Sequence, residues 1–346
     1  MRIALITDAW RPQVNGVVTT LSTTASTLTS MGHQLLIVNP SEFRSFPCPT
    51  YPEIRLSLWP GRGVAQRLKA FDPEHIHIAT EGPLGQAARR YCVRHDLAFT
   101  TSYHTQFPQY VRARVPIPLS VSFAFLRWFH GRAARTMVAT RQQQQELEDQ
   151  GFSNIVRWTR GVDTSLFRPG DPDFLSAERP IWLYAGRVAV EKSVEDFLAL
   201  DLPGTKYVVG DGPARKELEQ RFSDAVFTGY KFGEELAAYV GAADVFVFPS
   251  RTDTFGLVML EAMACGLPVA AYPVTGPIDV VRNGKTGVLN ENLREAALAC
   301  LDLDRDTCRA QALESSWPKA TRQFLGNLVL ARQENTSSRF VDSSLN

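Results

Sequence analysis

Cysteine is scarce in this chain. Five occur in 346 residues, at positions 48, 92, 265, 300 and 308, and their spacing suits no zinc site. Such usage fits a reduced, cytoplasmic compartment better than a disulfide framework. An excess of one charge is missing too: 37 Lys and Arg stand against 36 Asp and Glu, a net charge of +1. That balance gives no reason to invoke nucleic acid. No run of about 18 apolar residues occurs, so no transmembrane helix is expected. The opening MRIALITDAW is a short strand-like run bearing Asp8; it lacks the apolar core and cleavage site of a secretory signal. Solenoid-period repeats and low-complexity tracts are absent as well.

The residues that are present give the composition of a soluble globular protein, 44% apolar and 21% charged. The length favours two domains, each large enough for its own core. Short apolar runs alternate with helical patterns. Candidate strands are Ile3–Thr7, Gln34–Val38, His75–Ile78, Phe99–Tyr103 and Thr136–Ala139, then Trp182–Ala185, Lys206–Val209, Val245–Phe248 and Val269–Ala271. Each is short, apolar and rich in Val, Ile, Leu or Phe, as strands covered on both faces must be. Val17–Met31 and Ala214–Phe222 read as helices between them. The fold class expected is α/β, two Rossmann-like domains facing across a cleft. Residues 160–180, with Pro169, Pro172, Pro180, Gly161 and Gly170, read as a linker. Expected boundaries are 1–165, 166–320, and a C-terminal segment 321–346 that packs back on the first domain before a polar, frayed tail.

In such sheets ligands sit beyond the carboxyl ends of the strands, and the informative segments come just after strands. The first, residues 249–281, leaves Val245–Phe248, passes Thr252, Asp253 and Thr254, and opens a helix near Gly256 that ends at Cys265–Gly266. Unsatisfied N–H groups at a helix start attract a diphosphate, and Gly256 lets the backbone come close. Glu261 suits a ribose diol and Asp253 a sugar hydroxyl. Asp253 or Thr254 equally suits an N-cap, and Glu261 a solvated helix face. The second segment, residues 182–200, places Arg187 and Lys192 in the loop leaving a strand. Either cation can neutralise a departing diphosphate. A Gly-Asp-Gly-Pro turn at 210–213 is a weak phosphate signal, lacking the third glycine of a dinucleotide fingerprint.

In order and spacing these residues resemble the retaining glycosyltransferases of the two-Rossmann GT-B type, family 4 (group 1). The signature is an acid, seven residues, then a glutamate, matched by Asp253 and Glu261. The Phe255-Gly256-Leu257 step and the EAMACGLPV run are also family-like. Asp253 departs from the commoner Glu, which shortens the reach to the sugar. The resemblance implies a UDP- or GDP-sugar donor and no required metal. It assigns diphosphate contacts to Gly186, Arg187 and Lys192. Gly210, Gly212, Thr254, Phe255, Gly256, Leu257 and Glu261 are the other donor contacts in the C-terminal half. The TGY at 228–230 would lie near the base. In the first half, Asn15–Gly16 opens a helix, and Gly16 would let that loop reach the donor phosphates. His104, in TSYHTQFPQY, would touch the donor sugar through its backbone or ring rather than act as a general base.

No nucleophile emerges. The resemblance implies front-face attack, in which the leaving phosphate oxygen helps deprotonate the acceptor hydroxyl. Such a reaction depends on charge neutralisation and positioning. The two D-x-D matches, Asp171/Asp173 and Asp302/Asp304, fall in the linker and in a late helix, where a metal site is not expected. Residues 111–135 mix Arg112, Arg114, Arg127, Arg132 and Arg135 with Phe123, Phe125, Trp128 and Phe129. Residues 61–71 add Arg62, Arg67 and Lys69. Arginine with aromatics suits an anionic membrane surface; a helix packing its aromatics inward is the plain alternative. The resemblance is to bacterial lipid-directed mannosyl-, glucosyl- and glucuronosyltransferases. It implies glycolipid synthesis peripheral to the inner face of the cell membrane, with diacylglycerol or a glycolipid as acceptor. A soluble sugar or polysaccharide acceptor, a nucleotide-binding protein without turnover, and an NAD oxidoreductase are the other readings. The last lacks G-x-G-x-x-G after the first strand.

Overall fold

The computed structural model describes residues 1–48, 51–104 and 118–332. Arg112, Arg114 and the polar tail from Asn335 lie outside the described residues.

The first half contains β1 (Arg2–Ile6), β2 (Gln34–Val38), β3 (Ser45–Cys48), β4 (Tyr51–Ser57), β5 (His75–Ile78), β6 (Thr100–Ser102), β7 (Arg135–Val138) and β8 (Ile155–Arg157). Strands β3 and β4 pair antiparallel as a hairpin. The other six form one parallel sheet, ordered β2-β1-β5-β6-β7-β8. One face packs helices Gly61–Phe71, Pro83–Arg94 and Leu119–His130 through Val64, Leu68, Leu84, Cys92 and Phe129. The other packs helices Gly16–Ser30 and Trp317–Asn327 through Leu21, Leu28 and Phe324. Burial on both faces is why Arg2–Ile6 is apolar beyond its first residue and why the polar residues of β5 and β6, His77, Thr100 and Ser102, bond one another instead of water.

The second half repeats the design with β9 (Ile181–Ala185), β10 (Thr205–Val209), β11 (Val226–Gly229), β12 (Val245–Phe248), β13 (Val269–Ala271) and β14 (Gly287–Leu289). All are parallel, in the order β11-β10-β9-β12-β13-β14. By position within the half this is 3-2-1-4-5-6, the dinucleotide-binding order. Helices Gly233–Ala242, Leu257–Ala264 and Arg305–Leu313 cover one face, and Val194–Leu198, Arg215–Arg221 and Leu293–Cys300 the other.

The segment that reads as a linker, residues 160–180, joins the two halves but is packed rather than loose. Arg160, Val162, Phe167 and Leu175 are all buried. Val162 N–H donates to the Ser315 carbonyl at 3.0 Å, and Val162 bridges Ser316 in parallel. Proline and glycine loosen a chain only when its backbone finds no partner; here the returning chain supplies one. The helix Trp317–Asn327 then seals onto the first half. Gln323 accepts from Thr159 N–H, and Asn327 donates to the Arg157 carbonyl.

Candidate active site

The strand order of the second half reverses between β9 and β12, so the loops leaving them diverge and open a crevice. Gly186 to Lys192 leave β9; Pro249 to Gly256 leave β12. The two loops are tied together. Lys192 Nζ lies 2.5 Å from Asp253 Oδ1, with both side chains 20% exposed, and Thr252 Oγ1 donates to the Glu191 carbonyl at 3.1 Å. The loop leaving β10 joins them. Gly186 N–H donates to Val209 O and Val188 N–H to Asp211 O, each at 2.9 Å. A Cβ at Gly210 would fall 1.8 Å from the Gly186 carbonyl oxygen, and one at Gly212 2.3 Å from that of Val188. Glycine is required by this abutment, which explains the G-x-G.

The helix Leu257–Ala264 starts at Gly256, whose φ is +79°, and no side chain caps it. Neither Asp253 nor Thr254 is the N-cap. Its first N–H groups are therefore left for an anion. Asp253 uses Oδ1 for Lys192, while Oδ2 is buried with no hydrogen-bond partner among the described residues. Burial pushes the Glu261 carboxyl up to about 7. Such a carboxyl gains by accepting hydrogen bonds from a ligand. Phe255 packs against the core below.

The first half closes over this edge. Thr254 Oγ1 donates to the His104 carbonyl at 2.7 Å, which takes one of that oxygen's two lone pairs and brings the His104 backbone against the donor loop. A Cβ at Gly16 would meet Leu257 Cδ1 at 3.7 Å. The helix behind Gly16 begins there because Asn15 Oδ1 accepts from Val17 and Val18 N–H, each at 3.0 Å. Asp8, after β1, is buried and accepts from Leu84 N–H, Gly85 N–H and Thr80 Oγ1, which fixes the next loop. Burial raises its pKa to about 6.

Sequence reasoning missed a polar network beneath His104. His77 bridges Thr100 Oγ1 and Ser102 Oγ; burial takes its pKa down to about 3. His130 reaches Thr101 Oγ1 and, at 3.2 Å, Glu81 Oε1. Arg160 lies over Trp158 and reaches His104. By sequence Arg160 opens the apparent linker, and its only signal is the short apolar pair Ile155 and Val156 before it. The D-x-D acids act as local caps: Asp171 accepts from Asp173 N–H, and Asp304 from Asp306 and Thr307 N–H. Among the described residues no three His, Cys, Asp or Glu converge as metal ligands.

Two family descriptions match this arrangement half by half: "Glycosyltransferase Family 4" over residues 14–166 and "Glycosyl transferases group 1" over residues 179–306. A GDP-mannose-dependent alpha-mannosyltransferase of Mycolicibacterium smegmatis is 31% identical, across 96% of this chain and 99% of the relative. This chain is a family 4 glycosyltransferase. The plant sulfoquinovosyl transferase SQD2 of Arabidopsis thaliana is 33% identical across 76% of the chain and 58% of the relative. Among solved structures, sucrose-phosphate synthase of Thermosynechococcus elongatus superposes with a TM-score of 0.73 at 22% identity, covering 94% and 97% of the two chains. Anabaena HepE in complex with UDP and glucose gives 0.72 at 15%, covering 94% and 98%. At those identities the likeness establishes the GT-B fold of this glycosyltransferase, two Rossmann-like halves about a cleft.

Proposed function

We propose that this glycosyltransferase moves a hexosyl group from a UDP- or GDP-sugar to a membrane lipid acceptor, with retention at the anomeric carbon. The observation that carries the donor half of this reading is the crevice itself. Lys192 with Asp253, the uncapped helix start at Gly256 and the Glu261 carboxyl belong to loops and a helix leaving adjacent strands, and His104 meets them through Thr254. Their chemistry divides the donor naturally. Glu261 takes the ribose diol. Arg187, Lys192 and the helix start take the diphosphate as its charge grows. Asp253 and the His104 ring take the sugar. The bond from anomeric carbon to phosphate oxygen breaks while the acceptor oxygen bonds the same face; that phosphate oxygen receives the acceptor proton. No side-chain base and no metal is needed for this balance.

For the acceptor, a recess of about 160 Å³ lies on the loop that ends at Gly16, lined by Trp10, Arg11, Gln13, Phe43 and Arg55. Two guanidinium groups and two aromatic rings suit an anionic headgroup. Further out, Arg89, Arg90, Arg94 and Trp128 line a groove between helices Pro83–Arg94 and Leu119–His130. Trp128 is 52% exposed, with the Arg89 guanidinium 3.9 Å from its ring centroid. Trp59, 92% exposed, precedes the basic helix Gly61–Phe71. Exposed tryptophans beside arginines support peripheral binding at the inner face of the cell membrane. The names of the mannosyl- and sulfoquinovosyl-transferring relatives are consistent with GDP-mannose or another nucleotide sugar as donor. The second reading, a soluble sugar or polysaccharide acceptor, is favoured if the arginines serve a sugar phosphate instead.

Two measurements test this. Thermal shift with UDP-, GDP- and ADP-sugars should single out one base, since a ligand of the folded state raises its melting point. Flotation with vesicles containing anionic lipid should carry the protein up, and Trp128→Ala with Arg90→Ala should leave it at the bottom. Absence of flotation by the unaltered protein sinks the lipid reading and leaves the donor assignment standing.

A further inference from the structure

A buried guanidinium without a carboxylate beside it is expensive, and a fold that keeps one needs its hydrogen bonds somewhere specific. Arg160 is 4% exposed, and among the described residues its partners are neutral. Nη1 donates to the carbonyls of Trp158 and Thr159 at 2.5 and 3.2 Å. The guanidinium carbon sits 4.5 Å from the Trp158 ring centroid. Nη2 lies 3.2 Å from His104 Nδ1.

A guanidinium has only N–H groups to offer. The His104 Nδ1 therefore accepts, and the ring proton resides on Nε2. That nitrogen is buried and, among the described residues, has no hydrogen-bond partner. Trp158 Nε1, on the ring packed against His104, is a second orphan donor among the described residues, and Asp253 Oδ2, on the residue before Thr254, is an orphan acceptor. The His104 N–H is a donor and Asp253 Oδ2 an acceptor, which is what two hydroxyls of one sugar satisfy together. We propose that Arg160 is a positioning residue that locks His104 as the neutral Nε2–H tautomer and so aims that N–H at an oxygen of the donor sugar. The target of the N–H rests on the donor site proposed above; the lock itself does not.

The groups facing the ring are Arg160, His77 and His130 in the same half, with Glu81 behind His130, and Lys192 and Asp253 beside Thr254 across the crevice. Burial first, and then the Arg160 charge, hold His104 well below the ordinary histidine range. The ring thus stays neutral while the enzyme works.

Nitrogen-15 spectra of histidine-labelled, full-length protein read the tautomer directly. The expected spectrum has a pyridine-type Nδ1 and a pyrrole-type Nε2, unchanged from about pH 5 to 8, where a free histidine titrates. Arg160→Lys, which still donates, should keep that pattern; Arg160→Met should lose it, with the two nitrogens averaging. In kinetics Arg160→Met and His104→Asn should raise the donor KM about tenfold, the worth of one hydrogen bond. His104→Gln, whose amide nitrogen replaces Nε2, should stay near the unaltered enzyme. A protonated Nδ1 in the unaltered protein overturns the lock without any variant having to fold. So does an Arg160→Met protein that melts earlier but leaves the His104 resonances in place. The expected spectra with equal donor KM for His104→Gln and His104→Asn keep the lock and overturn the sugar contact.

Discussion

At the scale of single residues, the chemistry rests on how few charges are left uncompensated at the crevice. Lys192 and Asp253 hold each other at 2.5 Å, both side chains mostly buried. Removing Lys192 takes away one of the cations assigned to the departing diphosphate and leaves Asp253 unpaired. Lys192→Ala is expected to cut kcat about 100-fold, in the range of a lost oxyanion donor, with the circular dichroism melt little changed. Normal turnover in that variant counts against the site. Glu261 gives a second test, through pH. Its carboxyl moves from the ordinary 4.5 to about 7 on folding, so between these values the folded state binds the proton more tightly than the unfolded chain. Its stabilising contribution is complete below pH 4.5 and lost as pH rises through about 7, a loss of about 3 kcal/mol. Glu261→Gln should therefore melt higher than the unaltered protein above pH 7 and the same at pH 4.5. Ribose hydroxyls would favour the ionised form, so donor binding near pH 7 should release a proton. Calorimetry in two buffers of different ionisation heat measures that release, and none would show that the ribose sits elsewhere.

At the scale of elements, the donor helix depends on its starting residue. Gly256 stands at φ +79°, and a Cβ there would come within 2.7 Å of Met259 Cε and 2.9 Å of Phe248 Cζ. Gly256→Ala should cost about 1–2 kcal/mol from the backbone alone, a drop in melting temperature of roughly 2–4 °C per kcal/mol for a domain of this size. Donor affinity should fall with it, because the free N–H groups move; a destabilised protein with unchanged donor KM would separate the helix start from the phosphate. This helix is legible in the sequence because Gly256 and Gly266 bracket an apolar stretch. The central strands are legible for a related reason. Arg2–Ile6, Val245–Phe248 and Val269–Ala271 appear where the apolar runs are, and so does one edge strand, Gln34–Val38, whose apolar run is as clear. The strands of the two parallel sheets that sequence reading misses are β8, β11 and β14, and all three lie at sheet edges. Val226, in β11, is 39% exposed. Edge strands need no continuous apolar run, so their sequence resembles loop. With β8 unseen, the buried residues just beyond it, Trp158 and Arg160, pass for the approach to a linker. Asp253 and Glu261 stand out by their spacing, and Arg187 and Lys192 by their place after a strand; the His77–His130–Arg160 network does not, because its members come from separate strands and helices.

At the scale of the molecule, the two halves meet through a hinge and a latch. The chain crosses between halves twice, at Arg160–Val162 and at Ser315–Trp317, and the crossings bond each other. A Cβ at Gly161 would lie 2.3 Å from Trp317 N, so the crossings are pressed together. On the far side of the crevice, the Asp279 carboxylate accepts from Arg141 and Gln142 N–H, each at 3.0 Å. These are the opening residues of helix Arg141–Asp149, so one half caps a helix of the other. Thr275 Oγ1 adds a 2.6 Å bond to Glu146. The latch is coupled to the donor loop, since a Cβ at Gly276 would meet the Asp253 carbonyl oxygen at 2.8 Å. Losing a helix cap costs about 1 kcal/mol, here charged to the closed form. That predicts roughly a fivefold shift toward the open form. Asp279→Ala should therefore enlarge the radius of gyration by small-angle scattering and raise the donor KM about fivefold, while kcat at saturating donor falls little. Asp279→Asn, which keeps one accepting oxygen, should fall between. An Asp279→Ala enzyme with the same radius and the same donor KM would mean that the crossings and the Thr254–His104 bond, not the latch, hold the halves together over the donor.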